Sequence, residues 1–276
     1  MNESPHGVFV ADGESCVPTP LARGPWGDFV SGQYVGGLLS RAIERCVNDT
    51  ELHPTRVTID LSGRALLAPV TVKTTVLRRG RRICVIDAAM VQEGAEVAHA
   101  RAVYLRRGEQ SPNQVWTSPI EMPPPPEIPT TPPAGSASHG LIYSADDPGV
   151  PGADLRSWES ASQKFIWLTY FTPLVSGEKL TPLTRAVMVA DSASAVANYG
   201  ASGLHFINAD YTVTLSRLPE GPSVGMAGLT HNSEAGIATA SVALFDRRGP
   251  IGTAVTVGIA NGGFRPTGAR GAATST

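Results

Sequence analysis

The side chains able to do chemistry in this chain are oxygen-bearing and scattered. Asp210 stands in an otherwise apolar segment, FINADYTV, where a carboxylate facing a groove would orient or deprotonate water. The competing reading has it cap a backbone amide or lie on the outer face of a sheet. Asp60, in VTIDLSG, carries the same two readings. Thr230, in AGLTHNS, is either a water-positioning hydroxyl or a turn residue beside Asn232 and Ser233. The run GQYVGG sets Gln33, Gly36 and Gly37 at the start of a helix. The first amides of a helix lack intrahelical partners and can polarise a carbonyl or hold an anion. Close helix–sheet packing would need the same glycines. Arg78, Arg79, Arg81 and Arg82 flank Gly80 in a short basic hairpin, which reads as a solvated turn or as a contact for nucleotide phosphates.

Other chemistries find no support. GQYVGG is not a dinucleotide fingerprint, and no phosphate loop, GxSxG elbow or HExxH helix occurs. The six histidines, His99, His205 and His231 among them, have no metal-ligand spacing. Cys16, Cys46 and Cys84 form neither a zinc pattern nor a disulfide framework, which suits a reducing compartment. With 22 basic and 24 acidic residues the formal charge is -2, so no long-range field draws the chain to nucleic acid. No signal-like start and no 18-residue apolar run is present, and the expectation is a cytoplasmic protein without membrane insertion.

The elements that must position these residues follow from composition and pattern. The 276 residues are 42% hydrophobic and 17% charged, enough to bury a large core with little charge to solvate. The segment QSPNQVWTSPIEMPPPPEIPTTPPAGSASHG breaks the chain, because proline removes amide donors and favours extended backbone. It reads as a strap, with Trp116, Ile120 and Met122 as anchors. The expected domains are 1–115 and 140–262, joined by a linker at 116–139 and followed by a tail at 263–276. Each domain repeats one order. SGQYVGGLLSRAIERCV predicts a helix capped by Ser31, followed by β-branched strands with turns at GRR and EGAE. LTPLTRAVMVADSASAVAN predicts a second helix, with Thr181 as cap and Pro182 in its first turn, and strands follow again. Asp60 lies nine residues before Pro69 and Asp210 nine before Pro219, each in the first strand after its helix; this is a weak internal duplication. Two such α+β units could join their sheets edge to edge and leave a groove beside the helices. Trp158, Phe165, Trp167, Tyr170 and Phe171 read as core or seam, with the lining of an acyl pocket as the rival.

Taken in order, SGQYVGGLLSRAIE, RVTIDLSGRALLAPVTVKTTVLRRGRR, LTRAVMVADSASAVANYG, HFINADYTVTLSR and VALFDRRGPIG resemble acyl-CoA thioesterases with two fused hot-dog domains, particularly the actinobacterial thioesterase-like proteins. The resemblance implies a double hot dog: two long helices, each wrapped by half of a continuous, mainly antiparallel sheet. It also implies hydrolysis of an acyl-CoA or related thioester by activated water, with coenzyme A entering as part of the substrate and no separate cofactor. In the thioesterase II branch an Asp, a Thr and a Gln position the water. Asp210 resembles that Asp and Thr230 that Thr, while the Gln position falls near Thr256, which lacks a carboxamide. The family's helix-start glycines resemble Gly36 and Gly37, with Gln33 as the nearby polar group for the carbonyl. Arg79, Arg81 and Arg82 are the candidate contacts for coenzyme A. A hot dog that binds an acyl or hydrophobic ligand without hydrolysing it is the alternative, and other thioester chemistry such as hydration would prefer a His to partner Asp28. The outer surfaces leave room for a homo-oligomer.

Overall fold

The computed structural model describes residues 7–125, 127, 137–152 and 155–264; parts of the linker and most of the tail lie outside the described residues. A hairpin, β1 (Phe9–Asp12) and β2 (Ser15–Pro18), precedes α1 (Gly32–Val47). The first repeat continues with β3 (Leu52–Asp60), β4 (Val70–Arg79), β5 (Ile83–Gln92) and β6 (Ala95–Arg106). After the linker come β7 (Ser138–Ser144), β8 (Asp147–Gly152) and β9 (Lys164–Tyr170), then α2 (Pro182–Ala190) and α3 (Ala193–Asn198). The chain finishes with β10 (Tyr199–Gly200), β11 (Gly203–Asn208), β12 (Asp210–Leu215), β13 (Ser223–Glu234), β14 (Ile237–Asp246) and β15 (Gly249–Phe264).

All the strands belong to one sheet, whose main path runs β1-β2-β4-β5-β6-β3-β12-β15-β14-β13-β9-β7-β8. The two repeats meet where β3 pairs antiparallel with β12, and there Asp60 lies directly opposite Asp210. The echo in the sequence thus becomes a physical seam, stitched by the Thr58 and Thr212 hydroxyls 2.9 Å apart. Alternation decides which face each strand buries: in β5, Cys84, Ile86, Ala88, Met90 and Gln92 are buried while the residues between them are partly exposed. The fold is the double hot dog expected from the resemblance, an α+β arrangement with a continuous, mainly antiparallel sheet around its helices.

The α1 helix buries Val35, Leu38, Leu39, Ile43 and Val47, and it ends at Asn48 in the left-handed region at φ 41°. Arg79 from β4 donates to the carbonyls of Cys46 and Val47 at 3.4 and 3.3 Å, so its cation complements the helix C-terminus. The second helix begins as expected, with Thr181 Oγ1 accepting from the Thr184 amide at 3.1 Å. It does not run unbroken to Asn198. The chain leaves the helix at Asp191–Ser192 and resumes as α3.

The strap is anchored on the outer face of the second repeat. Ile120 and Met122 pack on the cluster of Tyr143, Phe165, Trp167 and Phe245, and Trp167 Nε1 donates to the Pro123 carbonyl at 2.9 Å. Gly225 leaves room for this contact, since a Cβ there would stand 2.7 Å from Met122 Cε. Trp116 corrects the expectation, for it is 82% exposed and anchors nothing among the described residues. We expect Met122→Ala to cost about 1–2 kcal/mol by uncovering this cluster. A lower unfolding midpoint together with a red-shifted tryptophan emission checks it.

Candidate functional site

The break after α2 places an acid where helix electrostatics disfavour one. Asp191 lies at the C-terminal end of α2, the negative end of its dipole. The carboxylate instead meets the start of α1, where Ser31 is the N-cap residue but makes no side-chain cap bond. Asp191 supplies the missing partner by accepting from the Gln33 amide. It also accepts from Asn208 Nδ2 at 3.1 Å. Gly32 makes the approach possible, because a Cβ there would stand 2.7 Å from Asp191 Oδ1. Protein atoms crowd the carboxylate, although part of the residue's surface stays open to the cavities around it. That burial pushes its pKa up to about 6, against the opposing effect of its two hydrogen-bond donors.

Two cavities meet at this carboxylate. One, of about 380 Å³, is lined by Phe29, Val35, Arg64, Ile207 and Asn261 as well as by Asp191 and Asn208. The guanidinium of Arg64 lies 5.3 Å above the Phe29 ring in it. The other, of about 250 Å³, is lined by Gln33, Leu155, Trp158, Ile166 and Leu204. Pro25, Trp26, Ser31, Asp191 and Asn208 border both. A crowded carboxylate, a side-chain amide and a helix start therefore share one wall between a partly polar and a mostly apolar space. Such an arrangement can deprotonate a water and hold an electrophilic carbonyl.

The residues singled out from the sequence occupy several places. Asp210 shares its face of the sheet with Thr212, Thr214 and, across the seam, Asp60. It lines an outer recess of about 270 Å³ with Thr230, Ser241, Thr256 and Val257. Within it, Asp210 Oδ1 accepts from the Val257 amide at 2.8 Å, and Thr256 Oγ1 donates to the Asp210 backbone carbonyl at 2.8 Å. The Thr230 hydroxyl pairs with Ser241 at 2.6 Å. Burial raises the Asp210 pKa, the Val257 amide opposes this, and the Asp60 charge adds a further rise. Next along this face, His99 lies 3.9 Å from Asp60 and 3.4 Å from Asp87, which Arg101 grips with two bonds of 2.7 Å.

Gln33 faces the inner site, and its Oε1 accepts from Tyr170 at 2.6 Å. Gly36 and Gly37 are the fifth and sixth residues of α1, where amides already bond within the helix. Both are packing glycines: Gly36 admits the Tyr211 hydroxyl, and Gly37 abuts Leu174 and Met188. Arg79, with exposed Arg81 and Arg82, lies at the far end of α1 from Gln33, a helix about 24 Å long. His231 is exposed on β13 and bonds Asn198 and Ser233 at 2.7 and 3.1 Å.

Asp191 and Asn208 were not among the candidates read from the sequence. One signal existed. Asp191 is the sole carboxylate between Arg185 and Asp210, set near the end of an apolar helix where an acid is electrostatically unwelcome.

Comparison with known proteins agrees with this architecture. An acyl-CoA thioesterase N-terminal domain model matches residues 22–105, and an acyl-CoA thioesterase C-terminal domain model matches residues 119–260. No curated protein matches the sequence significantly. Among solved structures, a TesB protein of Mycobacterium avium superposes with a TM-score of 0.65 at 14% identity, covering 92% of this chain and 96% of its own. An acyl-CoA thioesterase II, TesB2, of Mycobacterium marinum gives 0.62 at 15% identity over 95% and 96%. A hot-dog protein of unknown function from Alicyclobacillus acidocaldarius gives 0.63 at 15% over 92% and 95%. At these identities the likeness concerns the fold. Among the described residues no helix is long and apolar enough to cross a membrane. With both halves of the chain matched in order, the protein belongs to the double hot-dog acyl-CoA thioesterase-like superfamily.

Proposed function

We propose that the chain hydrolyses acyl-CoA thioesters in the manner of a thioesterase II, with Asp191 as general base. The observation that carries this reading is the crowded, up-shifted carboxylate between two cavities at the start of α1. Water held between Asp191 and Asn208 attacks the thioester carbon while Asp191 takes its proton. The carbonyl oxygen lies toward the Gly32 amide and the Ser31 hydroxyl at the positive end of α1. Collapse of the tetrahedral intermediate breaks the C–S bond, and Asp191 returns its proton to the departing sulfur, releasing the free acid and the coenzyme A thiol. The acyl chain occupies the more apolar cavity, and the pantetheine arm leaves through the one bordered by Arg64.

Thiol release from a series of acyl-CoAs is the test, and turnover is expected. Saturable binding without thiol release would favour the non-hydrolytic binder instead. A second placement of the chemistry has one observation in its favour, namely that Asp210, Thr230 and Thr256 share the outer recess. Against it, that recess lies on the outer face of the sheet, and among the described residues no hydrogen bond joins the Asp210 carboxylate to either threonine side chain.

A further inference from the structure

The more apolar of the two inner cavities, about 250 Å³, is closed on one side by an aromatic wall. Trp158 borders this cavity, whereas Tyr199 borders a separate groove of about 680 Å³. Their rings meet edge to face, with centroids 5.8 Å apart and planes at 68°. Both side chains are buried, at 1% and 5% exposure. Trp158 is also fixed by its indole, which donates to the Tyr143 carbonyl at 2.9 Å. A ring held by one hydrogen bond and one aromatic contact does not swing aside at little cost.

We propose that the Trp158–Tyr199 pair is the partition that sets acyl-chain length, making the preferred substrates short- to medium-chain acyl-CoAs. This rests on the reading of Asp191 as the hydrolytic site. At about 30 Å³ for each water-sized group, the cavity holds a tail of about eight carbons. A longer chain must either leave methylenes in water or displace Trp158. Burial of methylenes stops contributing at the wall, and seating a longer tail overpacks a pocket whose end is fixed, so tails that reach past the wall are disfavoured. Behind the partition lies the larger groove, bordered by Phe206 and Leu229, which would take the excess chain once the wall is removed.

Two readouts test this with butyryl, octanoyl and palmitoyl chains: kcat/KM for the CoA thioesters, and calorimetric affinity for the matching S-alkyl-CoA thioethers. Wild-type protein should favour octanoyl over palmitoyl by about tenfold or more in both. Trp158→Ala should erase that preference by gaining on palmitoyl. Because Trp158 is buried and its loss can unfold the chain, Ala195→Leu gives an independent arm. Ala195 borders the same cavity, and a larger side chain there should cost octanoyl about tenfold while sparing butyryl. Equal handling of octanoyl and palmitoyl by wild type, or a uniform loss across lengths in both variants, would overturn the partition. Failure of the thioethers to bind at all would overturn it as well. Length-selective binding without turnover would keep the partition and remove the hydrolytic reading.

Discussion

Replacing Asp191 by Asn is expected to lower acyl-CoA hydrolysis by about 100- to 10,000-fold, the usual consequence of losing a general base. The fold should survive, because Asn retains an oxygen that can accept from the Gln33 amide. Stability should change in the opposite direction from activity. Burial holds the Asp191 pKa near 6, above its ordinary 3.8, so the folded protein binds this proton more tightly than the unfolded chain does. Its stabilising contribution is complete below the unfolded value and is lost as pH rises through about 4 to 6. The loss amounts to at most about 3 kcal/mol, and less where water in the cavities screens the charge. Asp191→Asn should therefore melt at the same temperature as wild type, or higher, at neutral pH. At acid pH the two should converge. A clear drop in the neutral-pH melting temperature would show that the charge stabilises the fold. Hydrolysis by wild type should rise with pH and level off above an apparent pKa of about 6, since the ionised carboxylate is the active form.

The second large effect concerns Gly36. A Cβ at this position would stand 1.8 Å from the Tyr211 hydroxyl, 3.0 Å from Tyr211 Cζ and 3.3 Å from Val187 Cγ1. Helix propensity alone favours alanine over glycine by about 1 kcal/mol. Here the clash wins, because Tyr211 is fully buried on β12 and α2 stands behind it. Gly36→Ala should cost about 3 kcal/mol or more, toward the upper range for overpacked cores. For a chain of this length that means a fall in melting temperature of about 6 °C or more. Among the described residues the Tyr211 hydroxyl is buried without a hydrogen-bond partner. Tyr211→Phe should thus be neutral or stabilising, since it removes a polar group that folding desolvates uncompensated. Combined with Gly36→Ala it should recover most of the loss. An undiminished defect in the double variant would place the clash elsewhere.

Local pattern and tertiary context divide what the sequence revealed. The helix at GQYVGG, the GRR and EGAE turns and the Thr181 cap were legible because each depends on a few adjacent residues. The echo of Asp60 in Asp210 was legible too, and these residues face each other across the seam. The break at Asp191 was not, since the Ala and Val residues around it continue a helical pattern. Its cause lies in the Gln33 amide and Asn208, which only the folded chain brings to the carboxylate. The interruption at Ala209 was equally hidden. There the Ala209 amide bonds Val257 and its carbonyl accepts from Leu61. Asn208 can then serve the inner site while Asp210, two residues on, joins the outer face. A pattern of alternating residues cannot announce that switch.

On the proposed mechanism, thioester hydrolysis takes place at Asp191 and not on the outer face at Asp210. Thiol release from octanoyl-CoA, measured side by side for wild type, Asp191→Asn and Asp210→Asn at matched folded fractions, tests it most directly. Collapse of turnover in Asp191→Asn, with no more than a severalfold loss in Asp210→Asn, is the predicted result. Near-wild-type turnover in Asp191→Asn together with collapse in Asp210→Asn would contradict it.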